Sequence, residues 1–161
     1  MRFSGARVSP ALATSRADRL AHTGDRAIPQ PEAALAGLRI MLVEDNDINR
    51  NIAATILRRS GAEVIPAPGG REAVELLETM DVDLILMDLQ MPGIDGIETT
   101  RRIREAEAAV HRLRLPIVAM TGNAIEDYGD ACDAAGMDGF LTKPVTAARL
   151  CDVVQRTLAR A

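Results

Sequence analysis

From Leu38 to Leu158, apolar runs of strand length alternate with segments whose apolar residues recur at helical spacing. Arg39 to Val43 is a short apolar run that stops at Glu44-Asp45-Asn46-Asp47. Asp45 or Asp47 stands where an N-cap belongs, ahead of Ile48, Ile52 and Ile56, which recur every four residues as one helical face. Ser60-Gly61 closes that helix with a C-cap signal. Glu63 to Ala67 reads as a second strand, and Pro66, which has no N–H to donate, confines it to a sheet edge. Pro68-Gly69-Gly70 then turns the chain into a helix with Ala73, Val74 and Leu77 facing inward. The next run, Leu84 to Met87, has no polar residue, as expected of a central parallel strand covered on both faces. It ends in Asp88, and Pro92, Gly93 and Gly96 forbid its continuation.

A helical stripe follows at Ile97, Thr100, Ile103, Ala106 and Val110, with Glu98 four residues ahead of Arg102 on the wet side. Ile117 to Met120 is a fourth strand ending at Thr121-Gly122-Asn123. A more weakly patterned helix covers Ala124 to Ala135 and stops at Gly136. A very short strand at Gly139 to Leu141 leads into Thr142-Lys143-Pro144, and Ala147, Leu150, Val154 and Leu158 mark a closing helix. Strand-helix alternation with short links predicts an α/β fold: one parallel sheet, right-handed crossovers and helices on both faces.

Residues 1 to 37 break this pattern. Rich in Ala, Arg, Ser and Pro, they read as a flexible arm or linker ahead of a single domain at 38 to 161. Asp18 and Asp25 argue against an acid-poor transit peptide. The arm carries five Arg against three acids, whereas 38 to 161 carries fourteen bases against twenty acids. The domain is therefore acidic and lacks an electrostatic footprint for nucleic acid. No stretch approaches a membrane span, and Cys132 and Cys151 lack zinc or redox spacing, so they read as small buried hydrophobes in a reducing cytoplasm. Of nineteen basic residues eighteen are Arg and one, Lys143, is Lys. A need for a compact ammonium at that one place would produce this pattern, as would chance.

Composition is less informative than where the polar residues fall. Glu44 and Asp45 follow the first strand, Asp88 the third, Thr121 the fourth and Lys143 the fifth. Parallel sheets bind ligands beyond the carboxyl ends of their strands, where strand order reverses. Like-charged carboxylates about 4 Å apart cost about 4 kcal/mol per pair at an effective dielectric of about 20. Either some are protonated or a divalent cation lies among them, and hard oxygen donors suit Mg2+ better than zinc. A carboxylate beside such a metal can attack phosphorus, and Lys143 is placed to screen the incoming anion.

With these residues in view, the stretches VEDNDINR, LILMDLQMPGIDGIETTRRIR, MTGNA and AGMDGFLTKP make Leu38 to Leu158 resemble the response-regulator receiver domain, in wording most like receivers attached to hybrid histidine kinases. The resemblance implies a doubly wound five-stranded sheet of flavodoxin-like order 2-1-3-4-5. It implies that Asp88 accepts a phosphoryl group, and that Glu44, Asp45, Asp88 and the carbonyl of Gln90 hold Mg2+. Thr121 would hydrogen-bond the phosphoryl group, Lys143 would pair with it, Phe140 would report the state by its rotamer, and a cis bond before Pro144 would aim Lys143 inward. Gly122 stands where Ala is common in the family, and Phe140 lacks the hydroxyl of the alternative Tyr.

On this reading the chain is a signalling phosphoacceptor rather than an enzyme with a separate catalytic domain. Its partner is a histidine kinase or histidine phosphotransfer protein, and the switching surface lies on the last two helices, which could also carry a homodimer. His22 and His111 read as surface residues, and with no glycine-rich ATP loop the chain is expected to receive phosphate rather than make it. A pseudo-receiver would lack an acid or the Lys, and a phosphatase on a similar fold would need a lid domain; neither describes this sequence. No output domain is expected after the closing helix, leaving a stand-alone receiver or a piece of a hybrid kinase.

Overall fold

The computed structural model describes residues 33–161. Five strands and five helices alternate: β1 (Arg39–Val43), α1 (Asp47–Arg59), β2 (Glu63–Ala67), α2 (Gly70–Thr79), β3 (Leu84–Asp88), α3 (Gly96–Ala109), β4 (Ile117–Thr121), α4 (Ile125–Ala135), β5 (Gly139–Thr142) and α5 (Ala147–Arg160). The strands are all parallel in the order β2-β1-β3-β4-β5, as the family resemblance implied, with the Pro66 strand at one edge. Each face of the sheet buries alternate residues of the same strands. Ile40, Leu42, Leu84, Leu86, Val118 and Met120 pack beneath Leu57 of α1 and Leu150 and Val154 of α5. Met41, Val43, Ile85, Met87, Ile117 and Ala119 pack beneath Leu77 of α2, Ile103 of α3 and Cys132 of α4. Cys132 and Cys151 are both free and buried.

Three local expectations change. The N-cap of α1 is Asn46, whose Oδ1 accepts from the Asn49 N–H at 3.0 Å, rather than Asp45 or Asp47. Its acidic neighbours are otherwise engaged, Asp45 in a carboxylate cluster and Asp47 in an ion pair with Arg50. Second, of the Ile48, Ile52, Ile56 face only Ile56 packs against the core. Residues four apart advance about 40° around an α-helix, so the stripe slants away from the seam; Ile48 is 70% exposed and Ile52 53%. Ala53, Ala54 and Leu57 are the buried positions.

Third, the inward stripe of α3 ends at Ile103, and Ala106 and Val110 face solvent. Glu107 is buried in their stead because Arg104 grips both its oxygens, at 2.9 and 2.8 Å, while Oε1 also accepts from the Leu115 N–H at 2.8 Å. A buried acid satisfied in this way is tolerable, and no apolar count would reveal it. At the start of the described residues, the turn 33–37 packs on the domain. Leu35 is fully buried among the α1 and α5 side chains, and its N–H donates to the Ser60 carbonyl at 2.8 Å. The rest of the expected arm, including His22, lies outside the described residues.

Candidate functional site

The parallel register brings the carboxyl ends of β1, β3, β4 and β5 to one rim, at the point where the sheet order reverses between β1 and β3. There Glu44, Asp45 and Asp88 each place a carboxylate oxygen within 4.8 Å of the others. Glu44 and Asp88 are nearly inaccessible, at 2% and 3% exposure, and Asp45 is half-buried. Lys143 spans the two deep acids, with Nζ 2.7 Å from Glu44 Oε2 and 3.3 Å from Asp88 Oδ1. The peptide bond between Lys143 and Pro144 is cis, as expected.

Backbone donors reach two of the carboxylate oxygens. The Gln90 N–H donates to Asp88 Oδ1 at 3.2 Å, which holds the Gln90 peptide against the acid site, and the Asn46 N–H donates to Glu44 Oε1 at 3.3 Å. Arg50 reaches back from α1 to donate to the carbonyls of Glu44, at 2.8 Å, and Asp45, at 3.3 Å. Thr121 is fully buried at the end of β4, one position beyond the Met120 that pairs with Asp88. Its carbonyl accepts from the Lys143 N–H at 2.7 Å, whereas its Oγ1 accepts from the Asn123 N–H at 3.1 Å and does not bond the carboxylates or the ammonium. Phe140, opposite Ala119, is half-buried against the α2–α4 side of the core.

Burial first, and then the like charge of Glu44, raise the Asp88 carboxyl from 3.8 to about 6, although Lys143 and the Gln90 N–H pull the other way. Burial alone would lower the Lys143 ammonium, but its bond to Glu44 and the charge of Asp88 outweigh that and hold it above the ordinary lysine value. One ammonium therefore faces three carboxylates. An all-oxygen donor set with excess negative charge, beside one backbone peptide, fits a hard divalent cation.

The structure thus brings together Glu44, Asp45, Asp88 and Lys143, with the Gln90 N–H on Asp88, sets Thr121 on the same rim, and leaves Phe140 off it. Sequence reasoning missed Arg50, which braces the acid loop, and Tyr128, whose Oη accepts from Gln90 Nε2 at 3.3 Å. Position did signal Arg50, one turn inside a helix that starts at the acids. Tyr128, as the sole Tyr of the chain on a weakly patterned helix, also stood out. Among the described residues no helix is long and apolar enough to cross a membrane.

Comparison with known proteins points the same way. The chain is 39% identical over 134 residues to the sensor histidine kinase GacS of Pseudomonas protegens, covering 82% of this chain and 15% of that protein. It is 36% identical over 140 residues to histidine kinase 3 of Arabidopsis thaliana, covering 76% of this chain and 14% of that one. The chain thus spans about a seventh of the length of these curated relatives. Among solved structures it is similar to the receiver domain of a Pseudomonas aeruginosa sensor histidine kinase with a magnesium ion coordinated in its active-site cleft, with TM-score 0.68, 39% identity, and 77% of this chain and 99% of that chain covered. It is also similar to the receiver domain of the Arabidopsis thaliana histidine kinase CKI1 complexed with Mg2+ and BeF3-, with TM-score 0.69, 34% identity and coverage of 78% and 92%. Receiver domains of histidine kinases are thus among its relatives, residues 40–155 match the family described as the response regulator receiver domain, and with that fold and those strand-end residues the chain belongs to that family.

Proposed function

We propose that this chain is a phosphoacceptor in which Asp88 takes a phosphoryl group from a phosphohistidine on a histidine kinase or histidine phosphotransfer protein. The observation that carries this reading is the Lys143 ammonium spanning two buried carboxylates, one of them Asp88, at the reversal point of the sheet. An Asp88 oxygen attacks phosphorus as the bond from phosphorus to the donor imidazole breaks. The leaving imidazole nitrogen keeps the electron pair and takes up a proton. Glu44, Asp45, Asp88 and the Gln90 carbonyl would hold Mg2+, which when bound supplies positive charge to the transferring oxygens. Lys143 exchanges part of its bond to Asp88 for one to a phosphoryl oxygen, and Arg50 keeps the acid loop from recoiling.

The product carries roughly two negative charges where the free carboxylate carries one. Thr121 Oγ1, which bonds only its own loop, then turns to the phosphoryl group and draws residues 121–124 with it. Phe140, half-buried on β5, fills the space released, and the readout surface is the α4, β5 and α5 face. The test is intact mass after incubation with a small phosphodonor and Mg2+. One added phosphate is expected, absent in Asp88→Asn and in chelator; equal labelling of the Asp88→Asn protein refutes the assignment.

A further inference from the structure

Helix α4 is anchored at one end. Its two buried residues, Cys132 and Ala135, fall within its last four positions, whereas Ile125, Glu126 and Asp127 of its first turn are exposed. Ala124 at the N-cap offers no side-chain acceptor to that turn. The other end is tethered. The Gly136 carbonyl accepts from Arg104 Nη2 at 2.9 Å and from Arg114 Nη2 at 2.7 Å, and Asp138 takes the same two guanidinium groups at 2.9 and 2.8 Å. Asp138 Oδ2 further accepts from the Ile117 N–H at 3.0 Å, so this tether is tied into the start of β4.

In the free half of α4, Tyr128 is the one side chain with a hydrogen bond to another element among the described residues, and its ring packs on the α2–α4 side of the core. Its partner is Gln90, whose own N–H is bonded to Asp88. A continuous line of contacts thus runs from Asp88 through Gln90 and Tyr128 to the unanchored half of the helix. We propose that Tyr128 is a positioning residue that latches the free half of α4 to the Asp88 loop through Gln90, so that α4 swings about the Arg104–Asp138 tether when the charge on Asp88 changes. This rests on the phosphoacceptor reading above and adds to it the mechanical link between acid and helix.

The direction follows from linkage. The latch is closed with Asp88 unmodified, so it favours the unloaded site, and removing it must favour the loaded one to the same extent. One ordinary hydrogen bond sets the scale at about 2- to 10-fold. Binding of beryllium fluoride with Mg2+ would be titrated calorimetrically on the full chain, Tyr128→Phe, Gln90→Ala and the double variant, with amide hydrogen exchange on each. Each single variant should bind about 2- to 10-fold tighter, and the double variant no tighter than the better single, since both cut the same link. Exchange should rise in 125–131 and stay unchanged in 136–141. Unchanged or weaker binding by the single variants, additive gains in the double, or exchange rising equally in both segments overturns the latch. If the wild-type chain binds no beryllium fluoride, the phosphoacceptor reading fails instead, and the exchange comparison alone then decides whether Tyr128 holds α4.

Discussion

Removing the charge of Asp88 should stabilise the metal-free domain, and the gain should depend on pH. The carboxyl has an ordinary value of 3.8 in the open chain and about 6 in the folded domain, because folding buries it beside Glu44 faster than Lys143 can compensate. At about pH 4 and below the folded state keeps Asp88 protonated, and the site adds no penalty. As the pH rises from about 4 to about 6, the unfolded chain releases its proton first, so stability is lost across that window, and the loss is complete near pH 7. Each pKa unit is worth about 1.4 kcal/mol, which bounds the cost at about 3 kcal/mol. Relaxation around the rim brings the expected value nearer 2 kcal/mol. Asp88→Asn keeps the shape, leaves the Lys143–Glu44 pair in place and removes the charge. Urea unfolding in chelator at a series of pH values should therefore show the two proteins level near pH 4 and the variant about 2 kcal/mol more stable at pH 7. Excess Mg2+ should close that gap by stabilising the wild type alone, as a ligand of the folded state does. A gap that ignores pH, or a wild type that gains on the variant between pH 4 and 6, would refute the reasoning.

Three further outcomes test the architecture. Leu35→Ala should lower stability by about 3 kcal/mol in urea, because its side chain is wholly inside the α1–α5 half of the core; no effect would mean that 33–37 is not part of the folding unit. Arg104→Ala strands Glu107 and loosens Asp138, and should cost about 3 kcal/mol, read as a lower denaturation midpoint. Gly96→Ala would place a Cβ 2.2 Å from the Asp88 carbonyl oxygen; the backbone there must shift, so stability should fall by about 1–3 kcal/mol and phosphoryl uptake by the intact-mass assay should fall with it.

How legible each element was depended on what its signal rests on. β3 was readable because a strand buried on both faces must be apolar throughout, and the Pro66 strand because a missing N–H restricts its neighbours wherever it folds. The turn 33–37 was not readable. One buried Leu among Ala and Gly has no period, and its hydrogen bonds run to Ser60 and Gln155, far along the chain. Glu107 was hidden for a related reason: an acid enters the core only where an Arg is waiting, and Arg104 can be seen to wait there only once the helix is wound.

The site divides in the same way. Local sequence by itself determined that Glu44, Asp45, Asp88, Thr121 and Lys143 end their strands, because apolar runs stop where the polar residue begins, and backbone periodicity then decides which end of the sheet they occupy. Only the tertiary structure decided what those residues do to one another. That Lys143 grips Glu44 more closely than Asp88, and that Gln90 reaches Tyr128, are consequences of packing four crossovers together. Hydrogen bonds of this kind depend on distances of about 3 Å between residues tens of positions apart, and no pattern along the chain carries that information. The raised pKa of Asp88 belongs to the same class, since it comes from burial and a neighbouring charge that exist only after folding.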